Sequence, residues 1–116
     1  MTDEAYFFDS YAIIEVLKGS EGYKRYVESR IITTKLNLYE VYYSLLKLSE
    51  EKADTFLRDY GGYSVPFDSE IIRMAAQLKR LKTDLSMADT IGYVTALKNG
   101  IKFLTGDKEF KGLDNV

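Results

Sequence analysis

Four acidic residues of this 116-residue chain fall where carboxylates can do chemistry: Asp9, Glu40, Asp89 and Asp107. Asp9 ends the aromatic run Tyr6-Phe7-Phe8, and Asp107 follows the run Ile101-Lys102-Phe103-Leu104. Asp89 is the only charge between Met87 and Leu97, among Met, Ala, Ile, Val and Leu, where an unpaired charge is costly to bury. Glu40 lies on a narrow stripe with Asn37, Ser44 and Lys47, the polar positions of a segment that is otherwise Leu, Tyr and Val. Each acid also has a local explanation. Asp9 suits a helix N-cap, Asn37 with Glu40 and Ser86 with Asp89 have capping-box spacing, and Asp107 suits a turn. Gathered in one place, four carboxylates repel one another unless a divalent cation sits between them. A cation held that way supplies activated water at neutral pH.

Absences narrow the chemistry further. With no histidine and no cysteine, a Ser-His-Asp triad, a Cys-His pair, a histidine-based ribonuclease and the usual zinc site are all excluded. Lacking cysteine, the chain has no disulfide framework, and the expected compartment is the cytoplasm. The acidic start Met-Thr-Asp-Glu-Ala does not suit a secretory signal, and no apolar run approaches the roughly 18–20 residues that span a bilayer. A net charge of −2 does not suggest a nucleic-acid binder by bulk electrostatics. An RNA ligand would need metal ions and local lysines. Lys98, Lys102, Lys108 and Lys111 lie near the last two acids, although solvated surface is the default reading of such lysines. The length suits one domain over residues 1–116.

The elements that must position the acids alternate. Strands are expected at 6–8, 31–34 and 101–104, and an extended stretch at 63–67 whose Pro66 keeps it out of a sheet centre. Helices are expected at 11–17 (Ile13, Ile14 and Leu17 inward, Gly19 closing it), 21–30, 36–48 and 50–60 (Phe56 and Leu57 inward). A further helix capped by Asp68 or Ser69 has Ile71, Met74, Ala75, Leu78 and Leu81 as its buried face. The last begins at Ser86 and ends at Gly100, with a left-handed residue at that exit. Alternation of this kind predicts a three-layer α/β/α sandwich on a short, mostly parallel sheet of four or five strands. In such a sheet Asp9 and Asp107 leave the carboxyl ends of strands, the edge where open α/β sheets bind ligands. Glu40 and Asp89 are expected in the first turns of helices that start there. Segment 36–48 carries more apolar surface than one core contact uses, which predicts a homodimer.

Phe8-Asp9-Ser10, Glu40 within Asn37-Leu38-Tyr39-Glu40-Val41, Met87-Ala88-Asp89-Thr90-Ile91-Gly92-Tyr93 and Phe103-Leu104-Thr105-Gly106-Asp107-Lys108-Glu109-Phe110 resemble the acidic motifs of PIN domains in order and spacing. The likeness is nearest to the small VapC-like toxins of type II toxin–antitoxin systems and covers nearly the whole chain. It implies an Mg²⁺- or Mn²⁺-dependent endoribonuclease that cuts single-stranded or structured RNA by metal-activated water. It assigns Asp9, Glu40, Asp89 and Asp107 to the catalytic and metal-binding cluster, with Ser10 and Thr105 as supporting polar residues. It also implies a small antitoxin protein as partner. The alternative is a PIN nuclease or binding module in RNA processing without a toxin role. A phosphoacceptor receiver domain is less consistent, since it needs an acidic pair after the first strand. The chain departs from the family at its end, near Val116, where the usual final strand is short or missing.

Overall fold

The computed structural model describes residues 4–106 and residue 110. Its elements are β1 (Ala5–Phe8), α1 (Ser10–Lys18), a 3₁₀ turn (Glu21–Tyr26), β2 (Arg30–Ile32), α2 (Lys35–Leu46), α3 (Glu50–Tyr60), a 3₁₀ turn (Gly61–Tyr63), α4 (Ser69–Leu81), α5 (Met87–Lys98) and β3 (Lys102–Leu104). The sheet has the order β2-β1-β3, and both pairings are parallel.

The layers follow from the two-residue period of β1, which sends neighbouring side chains to opposite faces. Phe7 packs with Phe103, Leu85, Ile91, Val94 and the buried face of α4, so α4 and α5 cover that side. Phe8 packs with Ala12, Ile13, Leu38, Val41 and Phe56, so α1, α2 and α3 cover the other. This is the expected three-layer α/β/α sandwich with a short parallel sheet. A strand buried on both faces needs no polar alternation, which is why β1 reads as an unbroken aromatic run. Helix α5 is buried almost all round. Its buried Thr95 hydroxyl is satisfied by donating to the Ile91 carbonyl one turn back, at 2.6 Å.

Some expectations need correction. Among the described residues the sheet has three strands rather than four or five. The stretch 63–67 meets the end of β2 only through an isolated bridge between Thr33 and Ser64. The Val65 N–H donates to the Thr33 carbonyl, and the next residue, Pro66, has no N–H to continue a ladder. The region 21–30 holds a 3₁₀ turn in place of a helix. Leu17, Leu57, Met74 and Leu81 are exposed rather than inward. The end of the chain, where the final strand was in question, lies outside the described residues.

Local capping chemistry sets the helix ends. Asp9, Thr34, Ser49, Asp68 and Ser86 each accept a backbone N–H of the first turn they precede. Gly19 at φ 74° terminates α1, and Gly100 at φ 67° turns the chain from α5 towards β3.

Candidate metal and catalytic site at the carboxyl edge of the sheet

Asp9 sits directly after the central strand, and its N–H still pairs with the Leu104 carbonyl at 3.2 Å. On the other side, the Thr33 hydroxyl donates to the Phe8 carbonyl at 2.9 Å. The backbone around Asp9 is therefore held from both neighbouring strands. Asp9 is only 1% exposed. Oδ1 accepts the Ala12 N–H at 2.7 Å, so Asp9 is an N-cap in fact. The cap and the site are compatible: the positive end of α1 helps a carboxylate stay in a buried place.

Ser10, the next residue, reaches across to α2. Its hydroxyl donates to Glu40 Oε1 at 2.6 Å and accepts from Asn37 Nδ2 at 3.1 Å. Glu40 is half-buried, and the cavity beside it, about 440 Å³, is bordered by Ser10, Ile14, Tyr43, Ser44 and Lys47. The capping-box reading of Glu40 does not hold. Thr34 caps α2, and Glu40 falls in the second turn, one turn further in than expected.

Asp89 does form its capping box: the Ser86 N–H donates to Oδ2 at 2.8 Å and the Asp89 N–H donates to Ser86 Oγ at 3.0 Å. Its place relative to Asp9 follows from the run of α5. The helix leads through a short turn into β3, which is parallel to β1, so α5 ends at the amino edge and begins at the carboxyl edge. Gly92 faces Phe7 and Asn37. Asp89, three residues earlier and on a similar face, lies one turn nearer the carboxyl edge. Thr105 leaves β3 at that edge and is half-buried. Asp107 lies outside the described residues, and among those described no three acidic side chains are gathered to hold a metal ion.

Residues not singled out in sequence also converge here. A Cβ on Gly106 would run into the Tyr11 ring and would stand 2.5 Å from the Tyr23 hydroxyl, so both tyrosines press on the chain after β3. Burial, followed by the nearby Tyr11, Asp9 and Glu15, pushes the Tyr23 phenol up to about 12. It is a proton donor, not a base, at any physiological pH. Thr34 and Asn37, both fully buried, stand behind Ser10. The sequence marks Asn37 as a polar position and as half of a capping box with Glu40, a local reading that its bond to Ser10 replaces. Lys98, at the far end of α5, pairs with Glu70, and Lys102 opens β3 at the amino edge, so neither stands beside the acids. Lys108 and Lys111 lie outside the described residues.

Asp9, Ser10, Glu40, Asp89 and Thr105 offer only oxygen ligands, the set that suits Mg²⁺ or Mn²⁺ rather than zinc or copper. Mg²⁺ takes one or two carboxylates and completes its shell with water and substrate phosphate, so oxygen donors such as those of Asp9 and Glu40 are of the type that fits such an ion.

The sequence model of the PIN domain family matches residues 6–116. A toxin–antitoxin complex from Klebsiella pneumoniae is similar in structure, with a TM-score of 0.71 and 19% identity over 96% of this chain and 94% of that one. VapBC2 from Rickettsia felis, solved with a DNA fragment from its promoter, is similar with a TM-score of 0.73 and 16% identity over 97% and 95% of the two chains. Comparison with curated protein sequences gives no match. No helix among the described residues is long and apolar enough to cross a membrane.

Proposed function

The chain belongs to the PIN domain family, and from that premise we propose that it is a single-domain, divalent-metal-dependent endoribonuclease, the toxin of a toxin–antitoxin pair. The observation that carries this reading is the buried carboxylate of Asp9 at the end of the central strand, with its neighbour Ser10 bonded to Glu40 on a second element. In this reading Asp9, Glu40, Asp89 and Asp107 hold Mg²⁺ or Mn²⁺, with Ser10 and Thr105 in support. When bound, the cation supplies neutralisation of phosphate charge and a water of lowered pKa. The chain's own residues provide the rest. The cap bond to Ala12 fixes Asp9 on one oxygen, and the Ser10 hydroxyl fixes Glu40 on one oxygen. Without histidine, a carboxylate is the side chain best suited to accept a proton from water at neutral pH. Glu40, half-buried and bordering a cavity, keeps access to solvent.

The partners belong to the same proposal. Both structural neighbours named above are toxin–antitoxin complexes, which favours the toxin role over RNA processing. Helix α2 and the turn after it expose Tyr39 (70%), Tyr43, Leu46 and Leu48 (75%), apolar surface that a second copy of this chain or an antitoxin helix would cover. We read the chain as a homodimer on that basis, and the lack of cysteine suits the cytoplasm. Light scattering at micromolar concentration tests the dimer, and a monomer mass refutes it.

Incubation of defined RNAs with the protein in Mg²⁺, Mn²⁺ or EDTA tests the activity. Cleavage should require the cation and disappear in Asp9→Asn and Glu40→Gln. Cutting that persists in EDTA, or at the wild-type rate in Asp9→Asn, refutes the reading.

A further inference from the structure

A fully buried amide is costly unless each of its polar atoms is used. Asn37 is 0% exposed and its atoms are used in one sense only. The Thr34 hydroxyl, also fully buried, donates to Asn37 Oδ1 at 2.6 Å. That fixes the amide with its NH₂ group towards Ser10, where Nδ2 donates to Oγ at 3.1 Å. A hydroxyl has one proton. With an N–H already directed at its oxygen, Ser10 sends that proton to Glu40 Oε1, at 2.6 Å. The sense of donation therefore runs from Thr34 through Asn37 and Ser10 to Glu40.

Glycine at position 92 backs the arrangement. A Cβ there would stand 3.2 Å from Asn37 Oδ1 and 2.8 Å from Phe7 Cε1, so α5 approaches the amide closely only because residue 92 has no side chain. Helix capping does not require the amide, since the cap of α2 is the Thr34 oxygen, which accepts the Asn37 backbone N–H. What the Asn37 side chain adds is the link to Ser10.

We infer that Asn37 is a positioning residue for Glu40: acting from the core through Ser10, it holds the carboxylate in one orientation at the carboxyl edge of the sheet. The inference rests on the reading that Glu40 works at that edge. Turning the amide over would point Oδ1 at Ser10 and draw the hydroxyl proton away from Glu40. A long, half-buried glutamate would then be free to change rotamer.

The test compares Asn37→Leu, which keeps the size and loses the donor, with Ser10→Ala and the double variant. In the metal-free protein, side-chain ¹³C relaxation at Glu40 should report one held rotamer in the wild type and rotamer averaging in all three variants. Mn²⁺ affinity by calorimetry should fall about tenfold in each single variant, the usual scale for losing a group that orients a ligand. In RNA cleavage, kcat should fall with KM little changed. The double variant should be no worse than either single one, because both break the same chain of bonds. A merely structural role for Asn37 predicts losses that add in full to those of Ser10→Ala, and that result overturns the inference. So does an unchanged Glu40 rotamer in Asn37→Leu. If Asn37→Leu does not fold, Asn37→Ala, which leaves space rather than strain, carries the same predictions. A wild-type chain that neither binds Mn²⁺ nor cuts RNA overturns the proposed function itself. An active wild type and inactive Glu40→Gln beside an unchanged Asn37→Leu overturns this inference alone.

Discussion

Gly92→Ala is the substitution on which helix propensity and tertiary packing disagree in sign. Replacing a mid-helix glycine by alanine is worth about 1 kcal/mol of stability from propensity alone. In α5, however, the new Cβ would stand 2.8 and 3.0 Å from ring atoms of Phe7, closer than carbon atoms approach without repulsion. Phe7 is fully buried on the central strand and stacks on Phe103 at 5.6 Å between ring centroids, so its ring has nowhere to retreat. Overpacking of a filled core costs typically about 1–3 kcal/mol, measured net of whatever the added group contributes. We expect Gly92→Ala to lose about 1–2 kcal/mol, with a fall in melting temperature of roughly 3–8 °C for a domain of this size. Urea unfolding followed by circular dichroism measures it, with an unchanged slope confirming that only stability moved. Gly22→Ala is the control, since a Cβ there meets nothing within 4 Å, and it should change stability by no more than about 0.5 kcal/mol. A Gly92→Ala protein as stable as the wild type, or more so, refutes the close packing of α5 on β1 and Asn37.

Two further outcomes separate the structural and chemical roles of the acids, and a third concerns Tyr23. Asp9→Asn should keep the cap of α1, so the metal-free melting temperature should not fall, while Asp9→Ala should lose about 1 kcal/mol with the cap bond to Ala12; a cleavage gel beside the melting curves should find both inactive. Ser86→Ala should cost about 1 kcal/mol by removing the acceptor of the Asp89 N–H, whereas Asp89→Asn should leave stability nearly unchanged in melting curves and lose cleavage. The raised Tyr23 phenol gives an alkaline signature. Burial favours its neutral form in the folded chain, so its contribution is complete below the unfolded value of 10.0 and is lost as pH rises through about 12. Urea midpoints taken between those values should fall with pH, and less steeply in Tyr23→Phe.

Much of this structure is legible residue by residue because its determinants are local. A carboxylate or hydroxyl three residues before the N–H it accepts announces a cap, as at Asp68 and Ser86. A glycine where the chain must turn left-handed announces an exit, as at Gly19 and Gly100. The aromatic run Tyr6-Phe7-Phe8 announces a strand, and the alternation of strands with helices announces the layered parallel architecture. The same local habit misled at Asn37 and Glu40, whose spacing suggests a capping box. Asn37 is bound to Ser10, 27 residues away, and Glu40 to the same hydroxyl, 30 residues away. No periodicity reports such bonds, because they exist only once β1 and β2 lie side by side and bring α1 against α2. Gly92 was silent for the same reason: its missing side chain answers Phe7 and Asn37, on two other elements. The sequence alone determined the caps, the layers and the types of residue available for chemistry. Which of those residues face one another, and in which direction each proton is donated, was decided by the packing of separate helices on one short sheet.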